Sequence, residues 1–340
     1  MGIGVRGLAV AFLAAGVALL AACGRAGTAP RWSTELAWGQ GVAVSGTGLG
    51  TGPLGLAAGN ATLVVADSFA HRVLVWRVND ARWTGPVGTH VSSSTPIIAV
   101  AAGPTAGDPV YCATAGGSVW EVPAGGAPRR LAGFPAGPGD LERIVGMSAG
   151  NNHALWIELV AVRADGATRE LVAVGPDGVH VLQRAVLAAP SAGAKRPPAW
   201  LFSPAGVRVS LGLGPENTFW LVGRDRQGGP ALVRLGADGR PIGRRQWPQG
   251  VARADFLGLA PSGLAYVLAD AGTADQRLEG VTASGHVRRT RPLPPGDGPA
   301  VPHPAAMAPD GSLALLTGQS GGLHIDWYPA RSVWAPGSGA

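Results

Sequence analysis

Along residues 53–78 the apolar positions fall into three short runs separated by turn residues. Leu54–Ala58 ends at Gly59-Asn60, Thr62–Ala66 ends at Asp67-Ser68, and Arg72–Val78 alternates strictly. Successive side chains of a strand point to opposite faces, so Val73 and Val75 share one side of the third run and Leu74, Trp76 and Val78 the other. Three such runs predict an antiparallel meander.

The first run recurs along the chain. Apolar segments that close on a Gly or Pro turn end at Gly59, Gly103, Gly150, Gly214, Pro261 and Pro309, at spacings of 44, 47, 64, 47 and 48 residues. A second apolar run follows each one: Leu63–Ala66, Val110–Ala113, Ala154–Val162, Thr218–Val222, Ala265–Ala269 and Leu313–Thr317. Further on come Ala124-Gly125-Gly126, Asp177-Gly178, Asp238-Gly239 and Ser284-Gly285, which supply the positive φ of a tight hairpin turn. Four strands per unit with a steady period predict an all-β chain, a six-bladed β-propeller of four-stranded antiparallel blades. The segment 31–44 is placed to complete the blade that begins near His303. The long third interval holds Lys195-Arg196-Pro197-Pro198, which cannot continue a central strand and reads as an inter-blade loop on one face. Seven blades stay open if this insertion and the N-terminal segment hide a degenerate unit. Trp76, Trp120, Trp156, Trp220 and Trp327 fall in or beside predicted strands, where a flat ring fills the wedge between blades. Trp32, Trp38, Trp83, Trp200, Trp247 and Trp334 sit nearer loops or segment ends.

The run from Gly55 to Trp76 resembles an NHL repeat. Leu63-Val64-Val65-Ala66-Asp67 and His71-Arg72-Val73 match its strand and its "NHRV" start without gaps, and Ala70 stands where that repeat has Asn. Pro261-Ser262-Gly263 and Pro309-Asp310-Gly311 resemble the "APDG" turns of NHL and TolB-like blades. Ile97–Gly103 with Gly117-Ser118-Val119-Trp120, and Val145–Leu155, are similar to repeats of the regulator-of-chromosome-condensation type. Each of these resemblances implies a propeller.

The N-terminus changes the picture from fold to location. One positive charge, Arg6, precedes an apolar and small-residue run over Gly7–Ala22 that is too short for a membrane span and reads as a signal peptide, residues 1–22. Leu20-Ala21-Ala22-Cys23 resembles the bacterial lipoprotein box, which implies cleavage before Cys23 and a diacylglycerol on its thiol. The competing reading is an ordinary secretory signal and an incidental cysteine. Residues 23–30 are then a lipidated tether and 31–340 the propeller domain, held at the extracytoplasmic side of the cell membrane.

Composition adds little chemistry. The chain of 340 residues has 54 Gly and 29 Pro, which suits many short strands, and its two cysteines leave Cys112 without a partner once Cys23 is the anchor. The formal net charge of +6 is carried almost wholly by scattered arginines. Without a clustered basic patch interleaved with aromatics, no nucleic acid is expected as a partner.

Candidate polar clusters are few. Asn151, Asn152 and His153 directly follow a marker run and are the strongest candidates for ligand binding, with Asp108 beside the preceding marker. Imidazole and amide oxygens can share a cation, so a metal or sugar site is one reading and an Asn-rich turn the other. Propeller hydrolases that resemble senescence-marker-type lactonases hold a divalent ion with a Glu, Asn and Asp set. Here Asp108, Glu216 and Asp255 lie at differing offsets from their markers and form no recognisable set. Asp67 and His71 read as turn chemistry, and His303 and His324 as isolated. No cofactor is expected. The functional expectation is a lipid-anchored binding or scaffold module for a protein, peptide or glycan, with a secreted hydrolase or lyase acting on a lactone or cell-wall fragment as the alternative.

Overall fold

The computed structural model describes residues 30–45, 50–79, 81–134, 141–150, 154–163, 166–175, 177–186, 207–209, 211–225, 227, 229–248, 253–270, 273 and 275–334. The signal segment, Cys23 and the tether lie outside these, as do 151–153 and the Lys195 insertion.

The chain enters through β1 (Trp32–Ala37). Blade 1 follows as β2 (Gly55–Gly59), β3 (Thr62–Asp67), β4 (Arg72–Asn79) and β5 (Arg82–His90). Blade 2 is β6 (Ile97–Ala102), β7 (Val110–Thr114), β8 (Ser118–Val122) and β9 (Arg129–Gly133). Blade 3 is β10 (Leu141–Ala149), β11 (Leu155–Arg163), β12 (Gly166–Gly175) and β13 (Gly178–Val186). Blade 4 starts with two short pieces, β14 (Val207–Val209) and β15 (Leu211–Leu213), and continues with β16 (Phe219–Arg224), β17 (Pro230–Leu235) and β18 (Pro241–Gln246). Blade 5 is β19 (Ala254–Leu259), β20 (Ala265–Ala269), β21 (Arg277–Val281) and β22 (Val287–Pro292). Blade 6 has β23 (Ala305–Met307), β24 (Leu313–Gly318) and β25 (Gly322–Tyr328), and its fourth strand is β1.

That last pairing closes the ring. β1 runs antiparallel to β25, from Trp32 opposite Trp327 to Ala37 opposite Gly322, as the position of segment 31–44 predicted. Both ends of the chain therefore contribute to one sheet. Each blade is an up-and-down antiparallel sheet, and blades 4 and 5 are also joined in parallel, by β14 along β19 at Val207–Ala254 and Val209–Asp255 and by Leu213 with Gly258.

The core is six separate wedges, one at each junction between neighbouring blades, and this is why the sequence alternates as it does. In β3 and β4, Leu63, Val65, Leu74 and Trp76 pack against Leu316, Leu323, Ile325 and Trp327 of blade 6. Their neighbours Val64, Ala66, Val73 and Val75 pack against Ile97, Val100, Val110 and Cys112 of blade 2. Comparable clusters join blades 2 and 3, 3 and 4, 4 and 5, and 5 and 6. Second strands lie mid-radius with a wedge on both sides, so every residue of β3, β7, β20 and β24 is buried and these strands read as unbroken apolar runs. Outermost strands have one wet side, and β18 alternates between half-buried and exposed.

Antiparallel order also sorts the connections onto two faces. Turns from first to second and from third to fourth strands form one face, called here the hairpin face. Turns from second to third strands and the blade-to-blade links form the other, the crossover face. On the hairpin face the first-strand ends converge so closely that a Cβ on Gly59 would sit 2.2 Å from the Gly103 carbonyl oxygen. The marker glycine is a steric requirement of that convergence.

Candidate functional site

The six innermost strands enclose an axial channel of about 850 Å³, counting its open mouths. The marker runs of the sequence are the walls of this channel, a placement that periodicity alone did not reveal. Six strands meeting at an axis bring small residues such as Ala57, Ala99, Gly146, Gly212 and Ala306 together with larger apolar ones, Leu56, Ile98, Met147, Phe256 and Met307 among them. The inner edges of the first strands have no further strand beside them except at β19, so away from its pairing with β14 and the Leu213–Gly258 contact the wall also presents main-chain donors and acceptors.

Among the described lining residues only three side chains are polar: Ser148, Asp255 and His303. Asp255 lies at the start of β19 and His303 just before β23, which sets both at the crossover mouth. His303 Nδ1 is 3.4 Å from Asp255 Oδ2. The carboxylate is buried, with 3% of its side chain exposed, while the imidazole keeps 34% and faces the opening. Proline on both sides restricts the backbone of His303, and the Pro304 carbonyl accepts a hydrogen bond from Leu316 N–H at 2.7 Å. The arrangement offers an oriented imidazole backed by a buried carboxylate at the entrance of an apolar funnel. His303 had no visible partner in the sequence, because 48 residues separate it from Asp255.

The sequence-predicted candidates fall elsewhere. Asp108 is on the hairpin face in the turn between β6 and β7, where its Oδ2 accepts from Thr105 N–H at 2.7 Å. Its carbonyl accepts from Arg77 at 3.2 Å, and burial lowers the pKa of that guanidinium. Asn151, Asn152 and His153 lie outside the described residues, and the flanking Gly150 N–H bonds to Ala154 O at 2.8 Å. Glu216, with φ 58°, is in the turn between β15 and β16 on the hairpin face, whereas Asp255 is at the crossover end. The three acidic residues considered as a ligand set are thus divided between opposite faces. Among the described residues no group of three His, Cys, Asp or Glu side chains is placed to hold a metal ion.

Asp67 and His71 are structural. The Asp67 carboxylate is fully buried and accepts from Ala43 N–H at 2.8 Å and from Arg72 Nε at 2.7 Å. Arg72 in turn donates to the Gly41 carbonyl at 3.0 Å. Together they pin the link between the last blade and the first. His71 adopts a left-handed φ of 52°, and its Nδ1 is 3.1 Å from the Thr95 carbonyl. An Asp with Arg pairing is found again in blade 5, where Asp270, just after β20, pairs with Arg277 at the start of β21, and Arg277 Nε also donates to Glu279 at 2.8 Å. His324 is likewise not isolated, with Nε2 3.1 Å from Asp326 Oδ1. Cys112 is buried in the wedge between blades 1 and 2, which pushes its thiol up to about 12.

The six sheets and six wedges define a six-bladed β-propeller. The chain resembles a calcium-binding regucalcin of Agrobacterium tumefaciens at 14% identity and a TM-score of 0.49, over 87% of this chain and 98% of that one. It also resembles the WD40 propeller domain of Doa1 at 11% identity and a TM-score of 0.46, over 91% and 100% of the two chains. A third likeness is to the propeller domain of Cps50 of Myceliophteria thermophila, at 12% identity, a TM-score of 0.46, and 82% and 84% coverage. The sequence matches no protein-family model and no curated protein.

Proposed function

We propose that the chain is a lipid-anchored cell-envelope propeller, tethered through Cys23, that binds a protein, peptide or glycan at the crossover mouth of its channel. The observation that carries this reading is the composition of the channel. Apolar side chains, small and large, and main-chain groups of the first strands line the depth, and one ionisable pair, Asp255 and His303, stands at the entrance. A concave apolar site with a few convergent polar groups suits recognition, with the wall supplying contact area and the mouth orientation. Calorimetric titration of muropeptides, short peptides and envelope glycans tests it. His303→Gln should weaken binding of the cognate ligand about tenfold, and unchanged affinity would remove the mouth from the reading. The anchor is tested separately, since a Cys23→Ala protein that still partitions with membranes would contradict it.

The same pair favours one second reading. A partly exposed imidazole held by a buried carboxylate is the arrangement of a general base. A hydrolase or lyase acting on a lactone or cell-wall fragment would then lose turnover in both His303→Gln and Asp255→Asn, and binding without turnover in the unaltered protein argues against it.

A further inference from the structure

A second concavity, which shares no lining residue with the channel, lies on the hairpin face where blades 6 and 1 meet. It spans about 1530 Å³, counting the space open to solvent, and gathers Arg31, Arg82 and Arg331 around Trp32, Trp83 and Trp327. The three arginines are exposed, Trp32 and Trp83 are half-buried, and Trp327 forms the floor at 5% exposure. The rings hold one another in place: Trp83 is 5.3 Å from Trp32 and 4.9 Å from Trp327, and Trp32 is 6.3 Å from Trp76 in the wedge below.

Charge in the groove is not balanced. Asp310 is the one carboxylate among the lining residues, and its oxygens accept from Ser312 N–H at 2.8 Å and Ser312 Oγ at 3.0 Å. Among the described residues none of the three guanidiniums has an ion-pair partner. Three cations on a rigid aromatic shelf would be a poor use of surface in a chain whose other arginines are scattered, unless something anionic covers them.

The chain's own course says what that is. Arg31 belongs to the groove and is also the residue into which the tether feeds. Eight peptide units separate it from Cys23, a reach of at most about 28 Å. We propose that this seam is a membrane-contact surface that receives the phosphate groups of anionic phospholipids, with the guanidiniums on the phosphates and Trp32 and Trp83 at headgroup depth. The proposal rests on the lipid-anchor reading for its orientation. It fixes the hairpin face toward the bilayer and turns the crossover mouth, with Asp255 and His303, away from it.

The test uses the chain from Gly24 onward, which lacks the lipid-bearing cysteine but keeps all six blades, since every strand among the described residues lies between residues 32 and 328. Its binding is measured by flotation with vesicles of phosphatidylcholine alone and of phosphatidylcholine with phosphatidylglycerol at 3:1. The expected result is binding only to the anionic vesicles, reduced by salt, and weakened roughly 10- to 100-fold in the Arg31→Gln, Arg82→Gln, Arg331→Gln variant. A control variant with equal charge loss on outer strands, Arg244→Gln, Arg288→Gln, Arg289→Gln, should keep most of the binding; all three positions are exposed. Unchanged binding in the first variant, or equal loss in both, would overturn the assignment. So would complete displacement by glycerol phosphate at matched phosphate concentration, which would mark a soluble-phosphate pocket. Mass spectrometry of Cys23 from the membrane fraction reports on the anchor independently, so loss of the anchor reading and loss of the contact surface give different results.

Discussion

Replacing Asp67 by Asn changes one oxygen to an amide and leaves the volume almost unaltered, so its effect isolates the charge at the link between the last blade and the first. In the native protein Oδ1 accepts from Ala43 N–H and Oδ2 from Arg72 Nε, at 2.8 and 2.7 Å, inside a side chain with no exposure. The amide can still accept from Ala43, but its NH₂ then faces the Nε–H of Arg72, two donors toward one another. A charge-assisted hydrogen bond contributes about 1.5–3 kcal/mol, and breaking a buried pair from one side costs about 3–5 kcal/mol. Arg72 keeps 25% of its side chain exposed and can turn partly to water, which places the expected loss near the lower end, about 2–4 kcal/mol. Urea unfolding followed by far-UV circular dichroism measures it as a lower midpoint at an unchanged slope. Because Asp67 holds segment 41–43, limited proteolysis should also cut earlier between β1 and β2 in the Asp67→Asn protein. A double-mutant cycle with Arg72→Gln should return a coupling of about 1–3 kcal/mol. An Asp67→Asn protein within 0.5 kcal/mol of the parent, with no new cleavage, would refute the claim that this pair secures the ring closure.

Three further outcomes are expected. Trp76→Ala empties a side chain that is 1% exposed in the wedge between blades 6 and 1, and should cost about 3–5 kcal/mol by the same unfolding assay. Gly59→Ala forces a Cβ to within 2.2 Å of the Gly103 carbonyl oxygen and should destabilise by about 1–3 kcal/mol, whereas Gly125→Ala, with nothing within 4 Å, should be neutral; equal effects would deny the close approach. The buried Cys112 thiol keeps its proton up to about 12, against an ordinary value of 9.0, so its folded pKa is raised. Its contribution is fully present below pH 9 and is lost as pH climbs toward 12, at about 1.4 kcal/mol per pH unit. Stability measured from pH 8 to 11 should therefore fall less steeply in Cys112→Ala than in the parent, and identical slopes would contradict that assignment.

Much of the fold could be read from the residues themselves. Period-2 alternation in β4, unbroken apolar second strands and Gly turns repeating at blade-like spacing are local consequences of a strand lying between two wedges, so they leave a mark in sequence. Segment 31–44 falls in the last blade because closing a propeller ring mixes strands from the two termini. Trp32 and Trp83, which the sequence sets nearer loops or segment ends, are strand residues of the groove; β5 is too exposed to show clean alternation, and β1 alternates over only six residues.

The candidate site was far less legible. Asn151, Asn152 and His153 stood out because polar residues are conspicuous in an apolar neighbourhood, while Asp255 and His303 are single residues flanked by ordinary ones. Sequence by itself determined most strands and turns and a count of six units with a seventh left open, because those depend on interactions within a few residues. Tertiary structure alone decided that the marker runs line a channel, that Asp255 meets His303 at one mouth, and that three arginines share a groove at the seam. Closing the ring brings together positions from distant blades at radii and faces that no spacing along the chain encodes.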